Sequence, residues 1–206
     1  MIDAVITRAA ALAALALLVL LAGCRTLPVS APFLATPSLA GLDWPARRAA
    51  LQERPGFGLQ GRVAVVAGSD GFNGHLRWSQ QGTRSELDLE GPLGVGGVHI
   101  RSDGAQFDLT RPSGERLDSD AARAELADRL GFELPLAHLR YWVQGVPDPA
   151  LAAIETQQGA RLSELVQDGW DITYTAYPDP DGLPQKLSLV RGAVRVRMVI
   201  DAWHLP

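Results

Sequence analysis

From Phe57 onward the chain alternates apolar and polar positions with a period of two. Val63, Val65, Leu76, Trp78, Leu87 and Leu89 are interleaved with Arg62, His75, Arg77, Glu86 and Asp88, the signature of strands buried on one face and solvated on the other. The alternation returns at Val98 and Ile100, Phe107 and Leu109, Ile172 and Tyr174, and Leu187 and Leu189. It is most regular at Val194, Val196, Met198 and Ile200, with Arg195 and Arg197 between. The turn signals Ser69-Asp70-Gly71, Gln81-Gly82, Ser102-Asp103-Gly104 and Arg191-Gly192 recur at hairpin spacing, so neighbouring strands are predicted to run antiparallel as a meander.

Period 3.6 interrupts this pattern in three places. A short helix is predicted from near Asp43, a good N-cap, to about Glu53, before Pro55-Gly56 breaks it. Asp118 or Ser119 can cap a second, with Ala124, Leu126, Ala127 and Leu130 at helical spacing and an end near Leu130-Gly131. Pro135 suits the first turn of a third that ends at Gly145 and carries Leu136, Leu139, Tyr141, Trp142 and Val143. A large sheet with one apolar face needs a cover, and so few short helices cannot fill a fully closed large barrel. The predicted class is therefore mainly β: an unclosed antiparallel β-barrel covered by a few short α-helices. Alternation fits a solid core as well as a lined cavity, and close packing favours the solid core.

The first residues follow another rule. Ala9 to Ala22 form an apolar run after Arg8, the size of a signal-peptide core and shorter than the ~20 residues that span a bilayer as a helix. The run ends in Leu21-Ala22-Gly23-Cys24, which resembles the lipobox of bacterial lipoproteins, whose cysteine is acylated and becomes the new N-terminus. Cys24 is the only cysteine, so a disulfide within the chain is excluded. Two or three acyl chains, at ~0.8 kcal/mol per buried methylene, make a strong anchor. By the same resemblance Arg25, standing where aspartate commonly marks inner-membrane retention, implies an outer-membrane address on the periplasmic face. Pro28, Pro32 and Pro37 among small residues suit an extended tether. The expected organisation is a signal peptide over 1–23, a lipidated N-terminus and tether over 24–42, and one β-barrel domain over 43–206.

Composition narrows the chemistry. Of 206 residues 47% are hydrophobic, and 18 arginines and one lysine against 23 acids leave a net charge of -4. That is no surplus for a phosphate backbone, so nucleic acid is not an expected partner. Gly94-Val95-Gly96-Gly97-Val98-His99 fails the dinucleotide fingerprint, because His99 stands at the third glycine and a strand follows. Lys186 lacks a glycine-rich loop. His75, His99, His138 and His204 are without metal-ligand spacing and read as exposed. Ser69 fits a hairpin turn better than a nucleophile elbow. No enzyme activity, cofactor or metal is expected. The five tryptophans suit a core, although indoles also line pockets for aliphatic ligands.

Several segments, in order, carry a resemblance across nearly the whole mature chain. They are Gly61-Arg62-Val63-Ala64-Val65, Leu76-Arg77-Trp78-Ser79-Gln80, Gly91-Pro92-Leu93-Gly94, and Leu130-Gly131 with Leu134-Pro135-Leu136. Leu139 with Trp142-Val143-Gln144-Gly145-Val146-Pro147, then Gln167-Asp168-Gly169-Trp170 and Leu183-Pro184, complete the series. In these the chain resembles the LolB family of outer-membrane lipoprotein receptors. The resemblance implies an unclosed barrel with a helical lid, whose apolar interior takes the acyl chains of lipoprotein clients from the periplasmic carrier LolA. The client then passes to outer-membrane phospholipid, and the receptor is expected to be a monomer.

On that reading the apolar strand phase lines a cavity, with Val65, Leu76, Trp78, Leu89, Ile100, Leu139, Trp142, Ile172, Leu187 and Met198 as candidates. The helix around Leu139 and Trp142 would loosen as a lid. The family's membrane-insertion loop maps onto Pro92, Leu93, Gly94 and Val95, where Pro92 limits the backbone and Gly94 permits a sharp return that holds Leu93 outward. The competing expectation is a structural lipoprotein with a solid β core that binds a protein partner.

Overall fold

A computed structural model describes residues 38–91, 97–104, 106–178 and 182–205. Cys24 and Pro92 to Val95 lie outside the described residues. Among the described residues the first element is α1 (Trp44–Gln52), and one antiparallel sheet follows. Its strands are β1 (Gly56–Ala67), β2 (Asp70–Gln81), β3 (Arg84–Glu90), β4 (Val98–Ser102), β5 (Phe107–Thr110) and β6 (Arg116–Leu117), followed by α2 (Ser119–Leu130) and α3 (Leu136–Trp142). After the helices come β7 (Ile154–Gln158), β8 (Arg161–Gln167), β9 (Trp170–Ala176), β10 (Lys186–Arg191) and β11 (Val194–His204).

The 11 strands lie in the order β6-β5-β4-β3-β2-β1-β11-β10-β9-β8-β7. Two meanders are thus joined by β1 against β11, and the sheet stays open between β6 and β7. The family-like unclosed barrel is the fold observed. Register places the apolar phase in continuous inward rows. Leu165, Ile172, Leu189, Val196, Val65 and Phe72 are successive cross-strand partners. A second row runs Leu109, Ile100, Leu87, Trp78, Leu59 and Trp203. Each such pair adds roughly 0.2–1 kcal/mol beyond alanine, so the rows act as the unit of sheet cohesion.

Helix ends follow their capping residues. Asp43 Oδ1 accepts the Ala46 N–H at 3.0 Å, and Trp44 and Leu51 face the core. Helix α2 stops at Gly131, whose φ of 76° is left-handed and whose N–H donates to Ala127 O, an αL cap that glycine adopts without strain. An added Cβ there would also lie 2.4 Å from Ala67 Cβ. Helix α3 ends at Trp142, three residues before the predicted Gly145, and the chain turns through Val143 to Gly145.

Two further differences from the sequence reading have physical causes. The first hairpin turns at Gly68-Ser69, because Asp70 and Gly71 already pair with Ala67 and Val66. The β7–β8 hairpin was not signalled by alternation. Leu162 and Leu165 are both buried although three residues apart, because a register shift at Thr156/Gln157 inserts Ser163 between the Leu162 and Glu164 pairings. A bulge breaks the period of two.

Candidate lipid-binding cavity

Between the sheet and the α2–α3 segment lies a cavity lined by apolar residues alone. Strands β1–β3 supply Val63, Val65, Phe72, Leu76, Trp78, Leu87 and Leu89, and β11 supplies Val196 and Met198. The cover supplies Leu130, Phe132, Leu134 and Leu139. Its volume is about 40 Å³, small beside the roughly 300–1,000 Å³ of ordinary ligand pockets. The Leu130–Leu139 cover thus lies close against the sheet.

Of the sequence candidates, Val65, Leu76, Trp78, Leu89, Leu139 and Met198 line this space. Ile100, Trp142, Ile172 and Leu187 are just as buried but do not touch it. Ile100 sits between Leu87 and Leu109 in its row. Ile172 and Leu187 belong to the β9–β10 part of the inner face. Val63, Phe72, Leu87, Leu130, Phe132, Leu134 and Val196 were not among the candidates. The alternation signalled those on strands, and the Leu130–Leu134 segment became legible only once it was folded over the sheet.

Trp142 has a different task from cavity lining. Its Nε1–H donates to Gln167 Oε1 at 2.7 Å, and its carbonyl accepts from the Tyr174 hydroxyl at 2.8 Å. Gln167 is buried and also clasps the next loop, accepting from Asp148 N at 2.9 Å and donating to Asp148 O and Leu151 O. The C-terminal end of α3 is thus bolted to β8 and β9. Burial pushes the Tyr174 phenol well above its ordinary range, with neighbouring Tyr177 adding to the shift, so this donor stays protonated. Nearer the cavity, Trp78 Nε1–H donates to Gln80, whose amide donates to Gly82 O, and Arg140 of α3 donates to the same carbonyl at 2.7 Å.

A larger hollow of about 380 Å³ opens beside α3, but its walls mix Phe107, Leu126 and Leu136 with Arg123, Glu133, His138 and Arg140. Charged walls do not suit an acyl chain, so the smaller apolar space is the better candidate. Among the described residues no group of three or more His, Cys, Asp or Glu side chains is arranged to hold a metal ion. His75 and His204 are exposed as expected, whereas His99 and His138 are half-buried. Each meets a carboxylate, His99 at 2.6 Å from Asp88 and His138 at 2.7 Å from Asp148.

The family model described as "Outer membrane lipoprotein LolB" matches residues 55–203. The chain is 36% identical over 192 residues to the outer-membrane lipoprotein LolB of Nitrosococcus oceani, covering 91% of this chain and 94% of that one. It is 32% identical over 195 residues to the protein of that name from Pseudomonas putida, covering 91% and 92%. A crystal structure of a LolA superfamily protein from Nitrosomonas europaea superposes with a TM-score of 0.50 at 8% identity, over 80% of this chain and 94% of that one, which is a likeness of fold. With the family model spanning nearly all of the sheet and the α2–α3 cover, the chain belongs to the LolB family of outer-membrane lipoproteins.

Proposed function

We propose that this lipoprotein accepts acylated lipoprotein clients from the carrier LolA into the cavity between sheet and cover, and passes them to outer-membrane phospholipid. The reading rests on one observation above the rest: within a fold of this family, the side chains that line that space are, among the described residues, all apolar. Cys24 would hold the protein at the membrane by its acyl chains, with residues 1–23 as the removed signal peptide, 24–42 as tether and 43–206 as the working domain. The loop Pro92-Leu93-Gly94-Val95 would meet lipid.

The sequence carries neither a dinucleotide fingerprint nor a phosphate-binding P-loop, and on this reading the transfer runs downhill. Burying ~10 methylenes is worth roughly 8 kcal/mol, and each acceptor has to match what the previous one gives up. A cavity closed to about 40 Å³ holds no long chain, so opening is part of binding and weakens it. That weakening favours release into the bilayer. The moving part would be the stretch from Leu130 to Leu139, which contacts the sheet through apolar side chains, with the bolted Trp142 end as its hinge.

The small volume also favours a second reading, a structural lipoprotein with a solid β core. A fluorescent fatty acid separates the two. The receptor reading expects saturable binding, displaced by an acylated peptide and by no unacylated one; a chain that binds no probe while folded is the structural lipoprotein.

A further inference from the structure

The outer face of the sheet is distinctive at one end. Val66, Arg195, Val190, Asp171, Val166 and Ile154 are successive cross-strand partners on β1, β11, β10, β9, β8 and β7. Of these, Val66 is 50%, Val166 38% and Ile154 70% exposed. Leu151, which leads into β7, is exposed as well. Scattered exposed apolar residues are ordinary, whereas a shared row at one end of a sheet is not.

Two cations accompany this row. Arg195 lies in it, and Arg197 follows on the same strand, opposite Ala64 and Ser188. Four other outward arginines are neutralised locally, Arg62 by Asp201, Arg77 by Glu90, Arg101 by Glu86 and Arg116 by Asp108, whereas exposed Arg84 stands alone, among the described residues, at the start of β3, away from this row. Among the described residues Arg195 and Arg197 have no ion-pair partner. The nearest carboxylate of the row, Asp171, is two strands from Arg195, a backbone separation of roughly 10 Å. Both arginines border a shallow depression of about 340 Å³ floored by Ala64, Val66, Val190 and Val194. Paired guanidinium groups over an apolar floor match a phosphodiester headgroup above its acyl region.

Direction supplies the remaining argument. β1 ends at Ala67 and β2 begins beside it, β3 ends at Glu90, β10 turns into β11 at Gly192, and β7 begins at Ile154. The antiparallel register puts the β1–β2 and β10–β11 turns and the start of β7 at the same end of the sheet; β3 runs toward that end and stops at the level of His75 and Arg62. Family membership makes the protein an outer-membrane lipoprotein, held beside a phospholipid surface.

We propose that this row is a bilayer-docking surface, with Val66, Val166 and Ile154 entering the headgroup boundary and Arg195 and Arg197 binding lipid phosphates. Docking would set this end of the sheet against the membrane.

The test uses the full acylated chain in vesicles of phosphatidylethanolamine and phosphatidylglycerol. Acylation would consume the thiol of the only native cysteine, so Val66→Cys, Ile154→Cys and, as a reference at the opposite end, Leu205→Cys each give one site for a nitroxide label. Labels at 66 and 154 should collide preferentially with lipid-soluble oxygen, and the label at 205 with a water-soluble nickel chelate. Arg195→Gln and Arg197→Gln should each shift the docking equilibrium toward water roughly fivefold, while lysine at either position preserves docking. Labels at 66 and 154 as accessible to the chelate as that at 205 overturn the proposal. So does protection that appears only as protein density rises, which would make the row a contact between copies. Client transfer plays no part in this readout, so a failed transfer assay leaves the docking result standing, and the converse holds.

Discussion

Gln167→Ala removes the side chain that fastens the cover to the sheet. Gln167 is 2% exposed, and its amide holds Trp142 Nε1–H, Asp148 N–H, Asp148 O and Leu151 O together. Truncation strands two buried N–H donors, each at about 1–3 kcal/mol, so the expected loss is roughly 2–6 kcal/mol. For a domain of this size each kcal/mol lowers Tm by about 2–4 °C, which puts the fall at roughly 4–24 °C. Far-UV circular dichroism during heating measures it, with Gln60→Ala, an exposed glutamine on β1, as a control that should stay within about 2 °C of the parent, a change of under 1 kcal/mol. Below the lowered Tm, fatty-acid probe should enter faster because the hinge is loose. A Tm within about 2 °C of the parent would refute the reasoning, since the network would then contribute under 1 kcal/mol.

The remaining predictions concern pH, the αL cap and the cavity. Burial raises the Tyr174 and Tyr177 phenols above their ordinary 10.0. The unfolded chain therefore releases protons above about pH 10 that the folded chain keeps, and stability falls as pH rises beyond that point. Arg54, lowered to about 10 by burial and then by Arg47, works against this fall in the same range. Tyr174→Phe should flatten the fall and Arg54→Gln steepen it, read from urea midpoints across alkaline pH. Gly131→Ala places a Cβ against Ala67 at positive φ and should destabilise by roughly 2 kcal/mol, seen in the urea midpoint. Val63→Phe enlarges a side chain that lines the cavity and should weaken fatty-acid probe binding about tenfold, a loss of about 1.4 kcal/mol; unchanged affinity would place the probe elsewhere.

Strand phase was legible because β1–β5 and β9–β11 keep one face buried throughout, so Val65, Leu76, Trp78, Leu89 and Met198 could be assigned to the interior from spacing alone. The same logic could not separate cavity from core. Ile172 and Leu187 share that phase, but their part of the inner face is covered away from the space. Trp142 was legible as apolar, yet its placement is decided by Gln167 and Tyr174, polar partners distant in sequence. β7 and β8 escaped notice because the bulge between Leu162 and Leu165 shifts the period. Arg195 and Arg197 read simply as the solvated phase of β11. Only the register, by bringing Val66, Val166 and Ile154 into line across the sheet, set them in a surface of their own.

The most direct test of the central claim is lipoprotein transfer from loaded LolA to liposomes, comparing the mature domain carrying Cys24→Ala with the same domain also carrying Leu93→Glu. The account predicts that the first accepts the client and delivers it, and that the second accepts it but leaves it undelivered. A folded parent domain that never takes the client from loaded carrier would contradict the account.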